Sequence, residues 1–190
     1  GRIHPDRVAT DFSADLPSIA LPDGGTVLAT VGPTLGTAGT VTRWRIPSIA
    51  LRGRETLTIL GDVTIILTAG PGSRALDVTG NASIIIAANS SLKVYAEGDL
   101  LVAGNGLINP NTQPVSAQFW GAGEPAIAQS IHLAGNGGLR AIVYAPFADV
   151  QINGDGDVMG SVVGNTITLT GNADFHYAES LADFGDNQPF

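Results

Sequence analysis

The residues best suited to chemistry lie in one short stretch, Asn153-Gly154-Asp155-Gly156-Asp157. Carboxylates alternating with glycines resemble the calcium turns of β-rolls, where hard oxygen ligands converge on a cation from a tight bend. Asp155 and Asp157 are the calcium candidates. Calcium rolls stack many such turns, whereas this chain has one. The commoner reading is a tight corner with solvated acids, and no cofactor is expected.

The three histidines, His4, His132 and His176, form no ligand-spaced pair of the H-E-x-x-H kind. No Gly-x-Ser-x-Gly nucleophile elbow occurs. A lyase acting on acidic polysaccharide needs acids and a basic residue converging in a cleft. Here Lys93 is the single lysine and Arg140 the single arginine beyond Arg74. No catalytic residue is assigned, and the chain reads as non-enzymatic. Trp44, Tyr95, Phe119 and Trp120 are the candidates for contact with a ligand or partner, because aromatic rings stack on sugars. Covering an exposed end or edge of the molecule explains them equally well. Thr166, Thr168 and Thr170 form an outward row, which reads as ordinary β-propensity on a wet face rather than an ice-binding array.

The elements that would position these residues announce themselves by a repeated marker. Gly61-Asp62, Gly80-Asn81, Gly98-Asp99, Gly135-Asn136, Gly154-Asp155 and Gly171-Asn172 recur at intervals of 19, 18, 37, 19 and 17 residues. Taking the 37 as two units gives a period of about 18 to 19. Gly, Asn and Asp reach positive φ at the least cost, so each marker suits a corner. Between markers lie short apolar runs such as Val63-Thr64-Ile65-Ile66-Leu67, with Val63, Ile65 and Leu67 facing inward. Lys93 and Tyr95 fall on the solvent side of Leu92-Lys93-Val94-Tyr95. The pattern predicts an all-β fold: a single-stranded parallel β-helix, or β-solenoid, with coils of about 18 to 19 residues and an irregular N-terminal cap.

Residues 1–43 read as an extended, capping segment broken by Pro5, Pro17 and Pro22. Residues 44–181 read as the solenoid, with a loop insertion near 109–126, and residues 182–190 as an acidic tail. Hydrophobic residues make up 44% of the chain but aromatic residues only 6%, which suits a narrow interior filled by Ile, Val, Leu and Ala.

Formal net charge is −8, which argues against a nucleic-acid partner, since that affinity rests on Lys and Arg. Four of the nine basic residues do cluster: Arg43, Arg45, Arg52 and Arg54. The chain has no cysteine, so disulfides and thiolate metal sites are excluded. No run of about 18 apolar residues exists, and no membrane span is expected. The chain begins at Gly1 rather than Met, which reads as a processed product or excised domain with any targeting or anchoring segment upstream.

A longer pattern carries a resemblance. Tyr144-Ala145-Pro146, Ala148-Asp149-Val150, Gly154 to Gly156, Gly160-Ser161-Val162-Val163, Gly171-Asn172-Ala173 and His176-Tyr177 follow one another over the last third of the chain. Together with Ile49 to Ile108, this resembles the C-terminal domain of bacterial surface proteins that carry a type IV pilin-like, PilX-type N-terminal segment. The likeness covers about residues 45–181. Ala178 departs from it, because an acidic residue often follows His-Tyr there and here Glu179 comes one place later. A fainter similarity, in coil length and composition alone, is to bactofilins, which are cytoskeletal β-solenoid polymers. The resemblance implies a right-handed parallel solenoid displayed outside the cell, at the surface or on a pilus. The expected role is a structural module of a pilus-like appendage or surface filament, self-associating or joined to other pilus subunits. The alternative is an adhesin that binds a glycan or cell surface through the 109–126 loop.

Overall fold

The computed structural model describes residues 16–135, 138–154, 157–171 and 174–178. Among them the chain runs through β1 (Thr26–Val27), β2 (Thr34–Ile46) and β3 (Ile49–Leu51). It continues through β4 (Thr56–Leu67), β5 (Arg74–Val78), β6 (Ser83–Ile86), β7 (Ser91–Ala96) and β8 (Asp99–Val102). Then come β9 (Gly106–Ile108), a 3-10 turn at Pro114–Ser116, β10 (Ala117–Gly121) and β11 (Gln129–Gly135). The last strands are β12 (Leu139–Gly154), β13 (Val158–Gly171) and β14 (Phe175–Tyr177). All fourteen belong to one curled sheet. Every pairing is parallel except a single antiparallel contact between Gly106 and Gly135.

The pairings fall into three ladders, visited in a fixed order on each pass. The first runs from β2 at Thr34–Gly36 through the start of β4 to β6 and β9, and resumes at Leu139, Val158 and Phe175. The second stacks the end of β2, the end of β4, β7, β10 and the first halves of β12 and β13. The third stacks β3, β5, β8, β11 and the second halves of β12 and β13. Where the first ladder breaks, between Ile108 and Leu139, side-chain amides carry the backbone bonding. Asn109 Nδ2 donates to the Arg140 carbonyl, and Asn111 Nδ2 donates to the carbonyls of Ala87 and Ser90.

Alternation decides what faces inward. Val63, Ile65 and Leu67 are buried as expected, and so are Leu92 and Val94 above them. In the third ladder, Ile49, Leu76, Leu100, Ile131 and Val150 stack in register, each at most 2% exposed. Parallel stacking places like side chains over one another, so aliphatic residues fill the interior from three sides. A cavity of about 10 Å³ in the core is lined only by Ile, Leu and Val. That is about one water probe with no polar partner, so this cavity is dry.

Three expectations need correcting. Along the third ladder the register advances from Ile49 to Leu76, Leu100, Ile131, Val150 and Ile167, in steps of 27, 24, 31, 19 and 17 residues. A period of about 18 to 19 residues therefore holds only at the C-terminal end. There Gly135, Gly154 and Gly171 are true register partners. Gly61, Gly80 and Gly98 instead stand at three different corners, against Thr37, Gly53 and Ser73 respectively. The marker counts corners in the first half and whole passes in the second. The expected loop near 109–126 is also partly strand, since β10 occupies its middle. The N-terminal cap ends earlier than residue 43, because β2 already pairs with β4 at Thr34. The 182–190 tail lies outside the described residues.

Corner packing gives the first prediction. Gly39 and Gly104 share a φ of +71°, but a Cβ on Gly39 meets nothing within 4 Å, whereas one on Gly104 runs into the Gly80 carbonyl. Gly39→Ala should cost about 1 kcal/mol, the left-handed backbone term alone. Gly104→Ala should cost at least about 3 kcal/mol, because the clash adds to that strain. Urea denaturation of both variants checks this, and equal losses would show that stacked corners do not constrain the fold.

Candidate functional site

The outer face of the second ladder gathers most of the residues singled out from the sequence. Register fixes its two main rows. One row runs Arg43, Thr64, Lys93, Gln118, Ile142, and the other runs Arg45, Ile66, Tyr95, Trp120, Tyr144. The strands rise about 4.8 Å per pass, so outward aromatics on successive passes must stack. Tyr95 and Trp120 lie 6.0 Å apart between ring centroids and 17° from parallel. Trp120 and Tyr144 follow at 5.6 Å and 40°. Lys93 Nζ sits 5.9 Å over the Trp120 ring, and Trp120 Nε1 donates to Gln118 Oε1 at 3.2 Å. Gln118 Nε2 in turn donates to the Val115 carbonyl at 2.8 Å, which holds the 3-10 turn against this face.

An N-terminal strap crosses the same face. Tyr144 Oη donates to the Pro17 carbonyl at 2.9 Å. At the other end Arg45 donates to the carbonyls of Pro22 and Gly24, at 2.6 and 3.2 Å, and Arg43 donates to that of Asp23 at 3.0 Å. From Arg45 to Tyr144 is four strand spacings, about 19 Å, and an extended segment of five or six residues spans roughly that distance. The strap therefore runs at right angles to the strands. Its presence accounts for Ile66, which occupies an outward register position yet is fully buried.

Burial sets the electrostatics. It pushes the Tyr95 hydroxyl above the usual tyrosine value, with the Arg43 charge pulling weakly the other way, and it raises Tyr144 as well. Lys93 is lowered, first by burial and then by repulsion from Arg43.

The four aromatic candidates separate. Tyr95 and Trp120 are together on the outer face. Phe119 points inward between Val94 and Val143 and is fully buried, so it touches no ligand. Trp44 sits in register with buried Ile65 and packs on the end of the core, which makes it a cover rather than a contact. Even Trp120 departs from a sugar platform. Stacking needs a free ring face, and both of its faces are taken by Tyr95 and Tyr144. Tyr144 belongs to this site and went unchosen, although its spacing of 24 residues from Trp120 nearly repeats the 25 between Tyr95 and Trp120.

Of the calcium candidates, Asp155 lies outside the described residues. Asp157 meets Asp174 and His176 from the next pass, with one ligand atom from each lying within 4.8 Å of the others. His176 Nε2 is 3.8 Å from the Asp157 carboxylate. Calcium takes about six to eight oxygens, and this exposed set offers two carboxylates and an imidazole nitrogen. Asp174 was detectable only through the 17-residue step that stacks it on Asp157. His132 takes an outward register position between Leu101 and Gln151, with its Nε2 buried by its neighbours.

The tyrosine shifts predict a pH dependence. A raised folded value means the native state holds those protons more tightly than the unfolded chain. Stability is then full below about pH 10 and falls as the pH climbs through the raised values. Lys93 acts in the opposite sense, since its lowered value destabilises the charged native form and that cost fades as the pH rises through it. Between about pH 9 and 11, urea unfolding of Tyr95→Phe and Tyr144→Phe should therefore lose less stability with rising pH than that of the parent chain. Superimposable profiles would refute the assignment.

No curated protein and no solved structure matches the chain. A family profile described as Domain of unknown function (DUF7305) matches residues 50–184, which include Lys93, Tyr95, Trp120 and Tyr144. With most of its length inside that match, the chain belongs to the DUF7305 family.

Proposed function

We propose that the chain is a single-stranded parallel β-helix serving as a non-enzymatic structural module, joined end to end with further subunits in a bacterial surface appendage. Three parallel ladders visited in constant order support the β-helix. The surface and pilus setting rests on the resemblance of the segment from Tyr144 to Tyr177.

One observation carries the end-to-end reading. Ile167 and Leu169 occupy inward positions over Val150 and Ile152, which are each 1% exposed, yet they are themselves 47% and 50% exposed. Residues 166–170 of β13 also have no strand on their far side among the described residues. An open edge with bare core positions favours pairing with another chain. At the opposite end β3 is the other terminal strand of the sheet and runs in the same direction. A β13-to-β3 junction would simply continue the parallel ladder. Charge supports that polarity, because exposed Arg54 follows β3, beside Arg52 in its ion pair with Asp77, while exposed Asp157 and Asp174 lie at the β13 end.

Negative-stain microscopy with light scattering tests it. The chain should form rods longer than one subunit, and Ile167→Lys with Leu169→Lys should reduce them to monomers of unchanged circular dichroism. A parent chain that stays monomeric at every concentration would overturn the reading. So would assembly that survives both substitutions.

A further inference from the structure

Beside the aromatic stack, between the strap and the 3-10 turn, lies an open groove of about 330 Å³ on the outer face of the second ladder. Its floor presents Asp62, Thr64, Ser91 and Lys93, and Val115 and Ser116 of the 3-10 turn form one wall. Val41, 81% exposed, supplies an apolar surface at its N-terminal side. The volume suits one or two sugar rings, and the mixture of a few convergent polar groups with apolar walls is that of a small-ligand site.

We infer that this groove binds an acidic sugar, a hexuronate unit of a polysaccharide, with Lys93 on its carboxylate, the nearby Arg43 charge favouring an anion there, and Asp62, Ser91 and Thr64 on its hydroxyls. Charge comes first. Arg43 and Lys93 share one outer row, two strands apart, or about 10 Å at the backbone. An anion between them relieves the repulsion that already disfavours the charge on Lys93. Lys93 is the cation that lines the groove and can bond a carboxylate directly, while Arg43, held on the Asp23 carbonyl, adds positive potential from beside it.

The remaining groups specify a polyol. Ser91 Oγ donates to Asp62 Oδ1 at 2.6 Å, which fixes that carboxylate and leaves its second oxygen to accept from a sugar hydroxyl. Thr64 lies in register between Arg43 and Lys93 and can donate or accept. Gln118 is engaged with Trp120 and Val115, so it shapes the wall rather than reading the ligand. Asp62 also sets the limit on charge. A carboxylate in the floor repels a dense polyanion, and the chain's net charge of −8 adds to that repulsion, whereas one carboxylate per sugar is tolerated. The Trp120 face plays no part in this mode. It is independent of the end-to-end reading, since the groove lies on the side of the molecule.

The test is titration of the full chain with a hexuronic acid tetramer, and with a neutral hexose tetramer of the same linkage, followed by amide and indole NMR shifts. The acidic tetramer should shift the Trp120 indole and Gln118 amide signals, and the neutral one should not. Lys93→Gln should weaken binding about tenfold or more. Ser116→Trp, which fills the groove without touching a charge, should abolish it in a chain of unchanged circular dichroism. No shift at about 10 mM tetramer, a clear excess over the weak millimolar affinity of a minimal site, would overturn the inference. Equal binding of both tetramers, or binding indifferent to Lys93→Gln and Ser116→Trp, would do the same.

Discussion

Parallel, in-register stacking is the constraint from which the rest of this molecule follows. Once β4 pairs with β7 at Val63–Leu92 and Ile65–Val94, the next strand must bring apolar residues to the same two positions, and β10 does so with Ala117 and Phe119. The hydrogen-bond ladder fixes the strand spacing, and the spacing fixes which side chains touch. Inside, this gives columns of Ile, Leu and Val with almost no void. At the corners it brings glycine onto glycine, as with Gly53, Gly80 and Gly104, and a Cβ on Gly104 would run into the Gly80 carbonyl.

The same constraint acts on the outer surface, where it produces the aromatic column. Tyr95, Trp120 and Tyr144 come together because register puts them one above another. Once stacked they offer edges rather than faces to solvent. The column then becomes a flat, half-buried strip against which the strap lies, pinned by Tyr144 at one end and by Arg43 and Arg45 at the other. Residues that looked like a ligand platform are thus used to bind the chain's own N-terminal segment, and polar recognition moves to the neighbouring row with Lys93.

What was legible in the sequence was whatever depends on near neighbours. Alternation in Val63 to Leu67 and Leu92 to Tyr95 told inside from outside correctly, because period two is a local property. The class of fold followed from the same strands and the glycine corners. The spacing of passes did not, because three corners per pass all draw on the same few residue types able to turn the chain. Gly61, Gly80 and Gly98 are evenly spaced without being equivalent. Phe119 was misread for a related reason. Its strand is short and set between polar segments, and only its pairing with Val94 and Val143 shows that it points inward. Asp174 and His176 meet Asp157 through long-range register, which no single window displays.

The two ends obey the stacking rule differently, and that difference gives the molecule a direction. At the N-terminal end Leu28, Val31 and Trp44 pack over the core, and β1 adds a short further strand to the second ladder only. The third ladder is left with β3 at its edge, lined on that side by a groove of about 290 Å³ beside Val31 and Pro33. At the C-terminal end β14 extends the first ladder, and Ile167 and Leu169 remain half bare in the third. The third ladder is therefore bare at its C-terminal end, whereas at its N-terminal end Ile49 and Leu51 stay buried and only the backbone edge of β3 has no strand beside it among the described residues. Joined β13 to β3, copies would propagate head to tail, whereas two copies meeting β13 to β13 would pair antiparallel across a two-fold axis and close into a dimer, and the bare Ile167 and Leu169 suit either contact.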